Sequence, residues 1–442
     1  MVGLRRWTVV VVVATGAAAC ADRSTAEGGG SDSGSDSGSS SSSSADESSS
    51  SGDVPEPTML LHAVQLAIGV EHSCARLDDG TVACWGSGAV GELGDGESGS
   101  MHDRWLPERV PGLEGVVELA ASWRNTCARL DDGTVRCWGD NGLGQLGNGD
   151  SGQGVHSATP VVVSELDDAI DIGVGPSNAC AVRQSGDVVC WGVDDADKLG
   201  FAAPECGPFV VMRDVPMEYT TPCQATPMAV PGLQGAVEVI VGANTVCARA
   251  GDGTVACIGA NNTVGQLGNG TTDPPAMPPV PSAVVGAADV AVVGVADSGG
   301  CLLQPDATVA CWGGNSYGEL GRDLQFDDFA TTPTVIDTLA GVDTLVVAGG
   351  TVCAIAAGQP SCWGDVNYLF EVAPDPGSAA VGHPSALPQP QDIVELQTTG
   401  FHACARFADD TVTCWGPSDR GQLGVRPTDV IEYEFTPVRW NG

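Results

Sequence analysis

The sequence predicts an all-β protein: a seven-bladed β-propeller of four-stranded antiparallel blades, its ring closed by the C-terminal strand pairing into the first blade. Three observations carry this. Cysteines pair off at short, nearly constant spacing seven times: Cys74 with Cys84, Cys127 with Cys137, Cys180 with Cys190, Cys247 with Cys257, Cys301 with Cys311, Cys353 with Cys362 and Cys404 with Cys414. Consecutive pairs recur every 51–67 residues, the sign of a repeat architecture. Between them, short alternating apolar runs separated by Gly, Asp and Pro leave no room for helices of any length.

Each cysteine pair brackets a hairpin. Asp78-Asp79-Gly80 reads as a three-residue loop, a type I turn followed by a left-handed glycine. Counting outward from that loop puts Cys74 and Cys84 on a non-hydrogen-bonded pair, where facing side chains come closest. The sixth pair is one residue tighter and suits a two-residue loop at Ala357-Gly358. That register again makes Cys353 and Cys362 face each other, and it sets Pro360 where no ladder N–H is required. Zinc sites use closer spacings, so the pairs are read as disulfides and no metal is expected. Cys206 and Cys223 lie together in one insertion and form an eighth pair, leaving only Cys20.

Other landmarks keep step. A proline stands twenty residues before the first cysteine of repeats two to seven, at Pro107, Pro160, Pro227, Pro281, Pro333 and Pro384. In the second repeat the strands read as Pro107–Val110, Val116–Ala121, Thr126–Leu130 and Thr134–Trp138. The first repeat has no such proline, but Thr436-Pro437-Val438 supplies one at the far end. The C-terminal strand is therefore expected to complete the first blade, a closure that removes exposed sheet edges. Trp85, Trp138, Trp191, Trp312, Trp363 and Trp415 follow the second cysteines. Alternation turns them to the face opposite the disulfide, where they are expected to pack blade on blade.

The run Asp-Gly-Thr-Val-x-Cys-Trp-Gly, then Gly-Gln/Glu-Leu-Gly, then Thr-Pro, resembles the RCC1-type repeat (regulator of chromosome condensation). It stands at Gly80–Gly86 with Gly91–Gly94, and at Gly133–Gly139 with Gly144–Gly147. It recurs at Gly253–Gly259, where Ile258 replaces the tryptophan, and around Trp312 and Trp415. The third repeat carries Asp197-Lys198-Leu199-Gly200 instead, and the sixth has lost the second motif. The resemblance spans 58–442 and implies a propeller. It also brings in small-GTPase nucleotide exchange and inhibition of β-lactamase as family activities. An exported chain does not meet a cytosolic GTPase, and no inhibitor contact residues map onto this sequence.

Export is read from the front. Met1–Arg6 is basic, Trp7–Gly16 is apolar but too short to span a bilayer, and Ala17-Ala18-Ala19 precedes Cys20. Residues 1–20 thus resemble a bacterial lipoprotein signal, with Cys20 the lipidated residue at the cell envelope or surface. Residues 21–57 are rich in Ser, Gly and Asp and cannot bury a core. They form a tether with a span of about 35 Å.

The net charge is −38, with Lys198 the single lysine. No basic stripe exists, which excludes nucleic acid as a partner and leaves the N-terminal lipid as the membrane attachment. The Asp-Asp-Gly runs serve turns, because no oxygen cage for calcium surrounds them. The six histidines are His62, His72, His102, His156, His383 and His402; His72 and His402 share one repeat position and read as architecture. No nucleophile elbow, metalloprotease helix, P-loop or dinucleotide fingerprint occurs, and no cofactor is implied.

Function is sought where the repeat breaks. The connection from Gly200 to Pro227 runs 27 positions against 12–14 in six others, and holds Phe209, Met212, Met217 and Tyr219 in an insertion at about 201–226. With Trp105, Phe326, Phe329, Tyr368 and Phe370 on comparable connections, it forms a candidate binding rim. The reading is a monomeric, non-catalytic binding module whose partner is a protein or an envelope glycan. The rival is an enzyme acting on envelope polysaccharide with a carboxylate pair in the central channel.

Overall fold

The computed structural model describes residues 62–194, 198–211, 217–275, 279–296, 298–322, 328–366, 369, 380–387, 391–427 and 431–438. Cys20, the tether, Met212, Phe326, Tyr368 and Phe370 lie outside them. Strands make seven antiparallel sheets, six of four strands and one of five, and no helix forms among the described residues. The blades span 63–109, 116–162, 169–229, 236–283, 292–335, 344–386 and 393–437. First strands of successive blades pack side by side around the axis, the first blade against the seventh included.

The hairpin register is the one the turns predict. Cys74 faces Cys84 and Leu77 N–H bonds Thr81 O across a loop whose Gly80 has φ +76°. In the sixth blade Cys353 faces Cys362 and Ile355 faces Pro360, with Ala357 (φ +50°) and Gly358 (φ +76°) forming a two-residue loop. Two positive φ values are the mark of the type I′ turn that suits strand twist.

The disulfides form as the spacing requires. Cys74 is bonded to Cys84, Cys127 to Cys137, Cys180 to Cys190 and Cys247 to Cys257. Cys301 is bonded to Cys311, Cys353 to Cys362 and Cys404 to Cys414. All seven have Cα–Cα separations of 4.0–4.1 Å, the close approach of facing strand residues. In the insertion, Cys206 is bonded to Cys223 at a Cα–Cα separation of 5.6 Å.

One expectation is corrected. The C-terminal strand Ile431–Pro437 pairs with Val412–Pro417 of the seventh blade, not with the first. Every proline-bearing strand belongs to the blade before it: Asp103–Arg109 pairs with Val82–Ser87, so the first blade is already complete. The register is also displaced by two, because Thr413 faces Pro437 where Ala83 faces Arg109. Val438, like Val110, donates its N–H to the valine that opens the third strand. First and last blades therefore meet face to face, without exchanging a strand.

Seven apolar clusters fill seven seams, and each joins the disulfide of one blade to the tryptophan position of the next. The bond between Cys74 and Cys84 lies with Trp138, and that between Cys127 and Cys137 lies with Trp191. At the closing seam, Cys404 and Cys414 of the last blade lie with Trp85 of the first. The alternation of a strand explains this: cysteine and tryptophan are neighbours in sequence, so they point to opposite faces of their own sheet. Glycine is required where a loop of one blade lies on the outer strand of the next. A Cβ on Gly91 would sit 2.6 Å from Ala158 Cα, and one on Gly421 would sit 2.8 Å from Trp105 Cα.

Closing each hairpin should contribute roughly 2–3 kcal/mol by the chain-entropy model. The repeat cysteines are at most 2 % exposed, so a reductant cannot reach them in the folded ring. Dithiothreitol alone should leave all seven repeat bonds intact by thiol alkylation and mass spectrometry. Reduction in denaturant followed by refolding should lower Tm sharply; an unchanged Tm would mean that packing alone carries the fold.

Candidate functional site

Three groups of side chains could carry chemistry: acids near the channel, histidines, and the residues that break the repeat. The acids sit on the first strands. Glu118 pairs with Arg129 (2.7 Å), Glu238 with Arg249 (2.6 Å) and Glu395 with Arg406 (3.0 Å). Gln65 takes the same place in the first blade and accepts from Arg76 Nε at 3.2 Å. Bonds to the next blade's backbone start from the same position. Leu66 N donates to Glu395 Oε1 (2.8 Å), Leu119 N to Gln65 Oε1 (3.1 Å), and Val239 N to Asp171 Oδ2 (2.8 Å).

Burial pushes the carboxyls of Glu118, Asp171, Glu238 and Glu395 upward, Asp171 furthest, against the pull of the adjacent arginines on the glutamates. For Asp171, burial is joined by the nearby Glu118 and Glu238 carboxylates, which push it the same way. Convergent acids thus exist, but they are buried: arginines pair with Glu118, Glu238 and Glu395, and backbone N–H groups donate to Asp171 and Glu395. Glu395 and Asp171 stitch seams, each accepting from the backbone of the next blade.

The histidines divide. Burial holds His72 at about 3 and His402 at about 4, so both are neutral rings. His72 Nε2 lies 2.9 Å from Thr126 Oγ1, and His402 Nε2 lies 2.9 Å from Ser73 Oγ, each across a seam. Sequence reading missed a third arrangement, where His102 Nε2 lies 2.7 Å from Asp95 Oδ2 and Arg104 Nη2 lies 3.1 Å from Glu97 Oε2. It straddles one connection of the first blade, and its seven-residue spacing matches no motif. Among the described residues no three His, Cys, Asp or Glu side chains group as metal ligands.

The repeat-breaking residues gather at the end of the propeller opposite the Asp-Gly hairpins. The strand Met217–Ala229 is 13 residues long; its second half completes the third blade, and its first half runs beyond and pairs with Glu205–Val211. That overhang is roughly 20 Å. Phe209 is 7 % exposed and packs with Cys206, Cys223 and Leu143 of the second blade, so it is the small core of the arm and not a contact surface. Tyr219 is its strand partner. Trp105 stacks under Arg426 at 5.4 Å from the ring centre and belongs to the seam between the last and first blades. Phe329 is 48 % exposed, as is Tyr317, and Met101 is 94 % exposed.

The sequence profile of the Regulator of chromosome condensation (RCC1) repeat matches residues 79–129 and 132–182, and a second profile of that repeat matches 63–92 and 116–145. With seven four-stranded blades in place, the assignment follows. The chain is an RCC1-like repeat propeller. Human E3 ubiquitin-protein ligase HERC2 is 25% identical over 395 residues, 86% of this chain and 7% of that protein. The RCC1-like propeller thus spans a small part of that relative's length. The Arabidopsis thaliana ultraviolet-B receptor UVR8 is 24% identical over 378 residues, 81% of this chain and 78% of the receptor. Among solved structures, Saccharomyces cerevisiae Prp20p superposes with a TM-score of 0.63 at 19% identity, covering 86% of this chain and 87% of its own. Human WBSCR16 gives 0.64 at 17%, covering 81% and 93%.

In the RCC1-like propeller the Gly-Gln/Glu-Leu-Gly loop and the tryptophan come from neighbouring blades. Trp138 donates to Glu92 O (2.8 Å), Trp191 to Gln145 O (2.8 Å), and Trp85 to Gln422 O across the first and last blades (2.9 Å). The degenerate loop of the third repeat and the missing tryptophan of the fourth become one event. Lys198 replaces Gln in the third loop, and the residue facing that loop is Ile258, whose side chain has no N–H to give. The Lys198 ammonium instead crosses the seam to Ala243 O at 3.0 Å.

Glu92 is a carboxylate where Gln145, Gln266 and Gln422 stand in other loops, and burial raises it from 4.5 to about 7. A raised acid stabilises the fold fully below its unfolded value and loses that contribution as pH climbs through its folded one. Glu92→Gln should therefore flatten the pH dependence between 4.5 and 7. At pH 8 it should raise stability by roughly 1–3 kcal/mol. Urea titrations at pH 5 and pH 8 measure this; a variant weaker at pH 8 would contradict it.

Proposed function

We propose that this chain is a non-catalytic binding module that holds a protein partner on the loop end of its propeller, outside the cytoplasm and anchored by lipid on Cys20. The observation that carries the reading is the disulfide-tied arm over the third blade. It is the largest departure from sevenfold repetition, and symmetry does not require it. Exposed Met101, Tyr317 and Phe329 lie at that same end, an arrangement suited to macromolecular contact.

Similar propellers support a protein as the partner. Prp20p is described by its binding to Gsp1p and histones, and its structure is also known with Kap60 bound. Catalysis is disfavoured because the convergent carboxylates are spent on the seams. The extracytoplasmic reading is supported by eight disulfides, which persist in oxidising compartments.

Cross-linked pull-down from intact producing cells tests this. One protein should be recovered with the wild-type chain and lost with a double variant, Met101→Glu with Phe329→Glu, of unchanged Tm. Recovery of sugar-linked material alone would overturn the protein-binding reading. In the same cells Cys20→Ser should move the chain from the membrane fraction to the soluble one; an unchanged distribution would contradict the lipid anchor.

A further inference from the structure

The opposite end of the propeller carries a cavity of about 860 Å³ between the sixth and seventh blades. Beside it, the arginine pair that four other blades carry is absent. Four blades set Arg76, Arg129, Arg249 or Arg406 against Gln65, Glu118, Glu238 or Glu395 at one register position. In the sixth blade the same position holds Thr344 facing Ile355, and both line the cavity. The long side chains that fill this position in those four blades are missing here, as they are in the third and fifth blades, where Asp171 faces Val182 and Val292 faces Leu303.

The cavity is polarised. Its deep wall is Ile355, Ile393 and Thr413, at most 8 % exposed, with partly buried Phe407 beside them. Its mouth carries the exposed carboxylates Asp343, Asp392 and Asp409. Among the described residues that line it, none is basic. Thr413 Oγ1 is buried, lines the cavity and makes no hydrogen bond. A buried hydroxyl without a partner is costly, so a polar group of an occupant would relieve it. The volume lies in the range that small-molecule sites use.

We infer that this cavity binds a small protonated amine with an apolar body, its ammonium among Asp343, Asp392 and Asp409 and its body against Ile355, Ile393 and Phe407. The size favours a small molecule over a polypeptide segment. The site is independent of the partner surface proposed above, because it lies at the hairpin end.

Calorimetric titration of the full chain with tryptamine and with its uncharged analogue tryptophol tests the inference. Tryptamine should bind saturably at one site, and tryptophol about tenfold more weakly or not at all. A double variant, Asp392→Asn with Asp409→Asn, removes two charges from the mouth, keeps an amide oxygen to accept from Thr411 in the hairpin turn, and should weaken tryptamine about tenfold. Ile355→Trp should abolish binding by filling the cavity; should it fail to fold, the double asparagine variant still decides. No saturable binding of tryptamine at millimolar concentration, equal affinity for the two probes, or indifference to the asparagine pair would each overturn the assignment.

Discussion

Everything in this ring rests on one contact made seven times, the face of a disulfide-bonded hairpin against the tryptophan position of the next blade. The two residues are adjacent in sequence and point to opposite faces of a strand, so a blade offers a disulfide on one side and an indole on the other. A ring of such sheets then has only one way to repeat. The indole N–H reaches the loop carbonyl of the blade before it, a bond of roughly 1 kcal/mol in net terms whose loss would strand a buried polar group. The last-to-first seam uses the same parts, Cys404 bonded to Cys414, Trp85 and Gln422, in place of a shared strand.

Cysteine spacing made the repeat, the hairpin register and the turn types legible, because a two-residue periodicity and a tight loop leave one consistent pairing. All eight bonds, from Cys74 with Cys84 to Cys404 with Cys414, are the ones that spacing implies. The phase of the repeat was not legible. A strand beginning at Pro107 is followed in sequence by Val116 and preceded by Ser87, and nothing local says which sheet it joins. Sequence contiguity favoured the later blade, whereas pairing with Ala83 and Cys84 fixes it to the earlier one. Pro437 compounded the error, since it imitates the motif two residues out of register.

The seam acids were invisible for a different reason. One position per blade reads Gln65, Glu118, Asp171, Glu238, Val292, Thr344 and Glu395, a series with no shared residue type. The task that several of them share, reaching the neighbouring backbone, appears only in three dimensions. The aromatic rim failed in part on similar grounds. Trp105 meets Arg426, 321 positions away, and Phe209 is consumed by a core too small to do without it. Three of the exposed apolar side chains, Met101, Tyr317 and Phe329, share an end of the propeller but no motif.

Hydrogen exchange at the indole N–H groups tests the seam account most directly. In ¹⁵N-tryptophan-labelled protein, with signals assigned by Trp→Phe variants, Trp85 should exchange as slowly as Trp138, Trp191, Trp312 and Trp363, all through unfolding of the whole ring. Fast exchange at Trp85 alone would show that the first and last blades part on their own, and that the same contact does not close the ring.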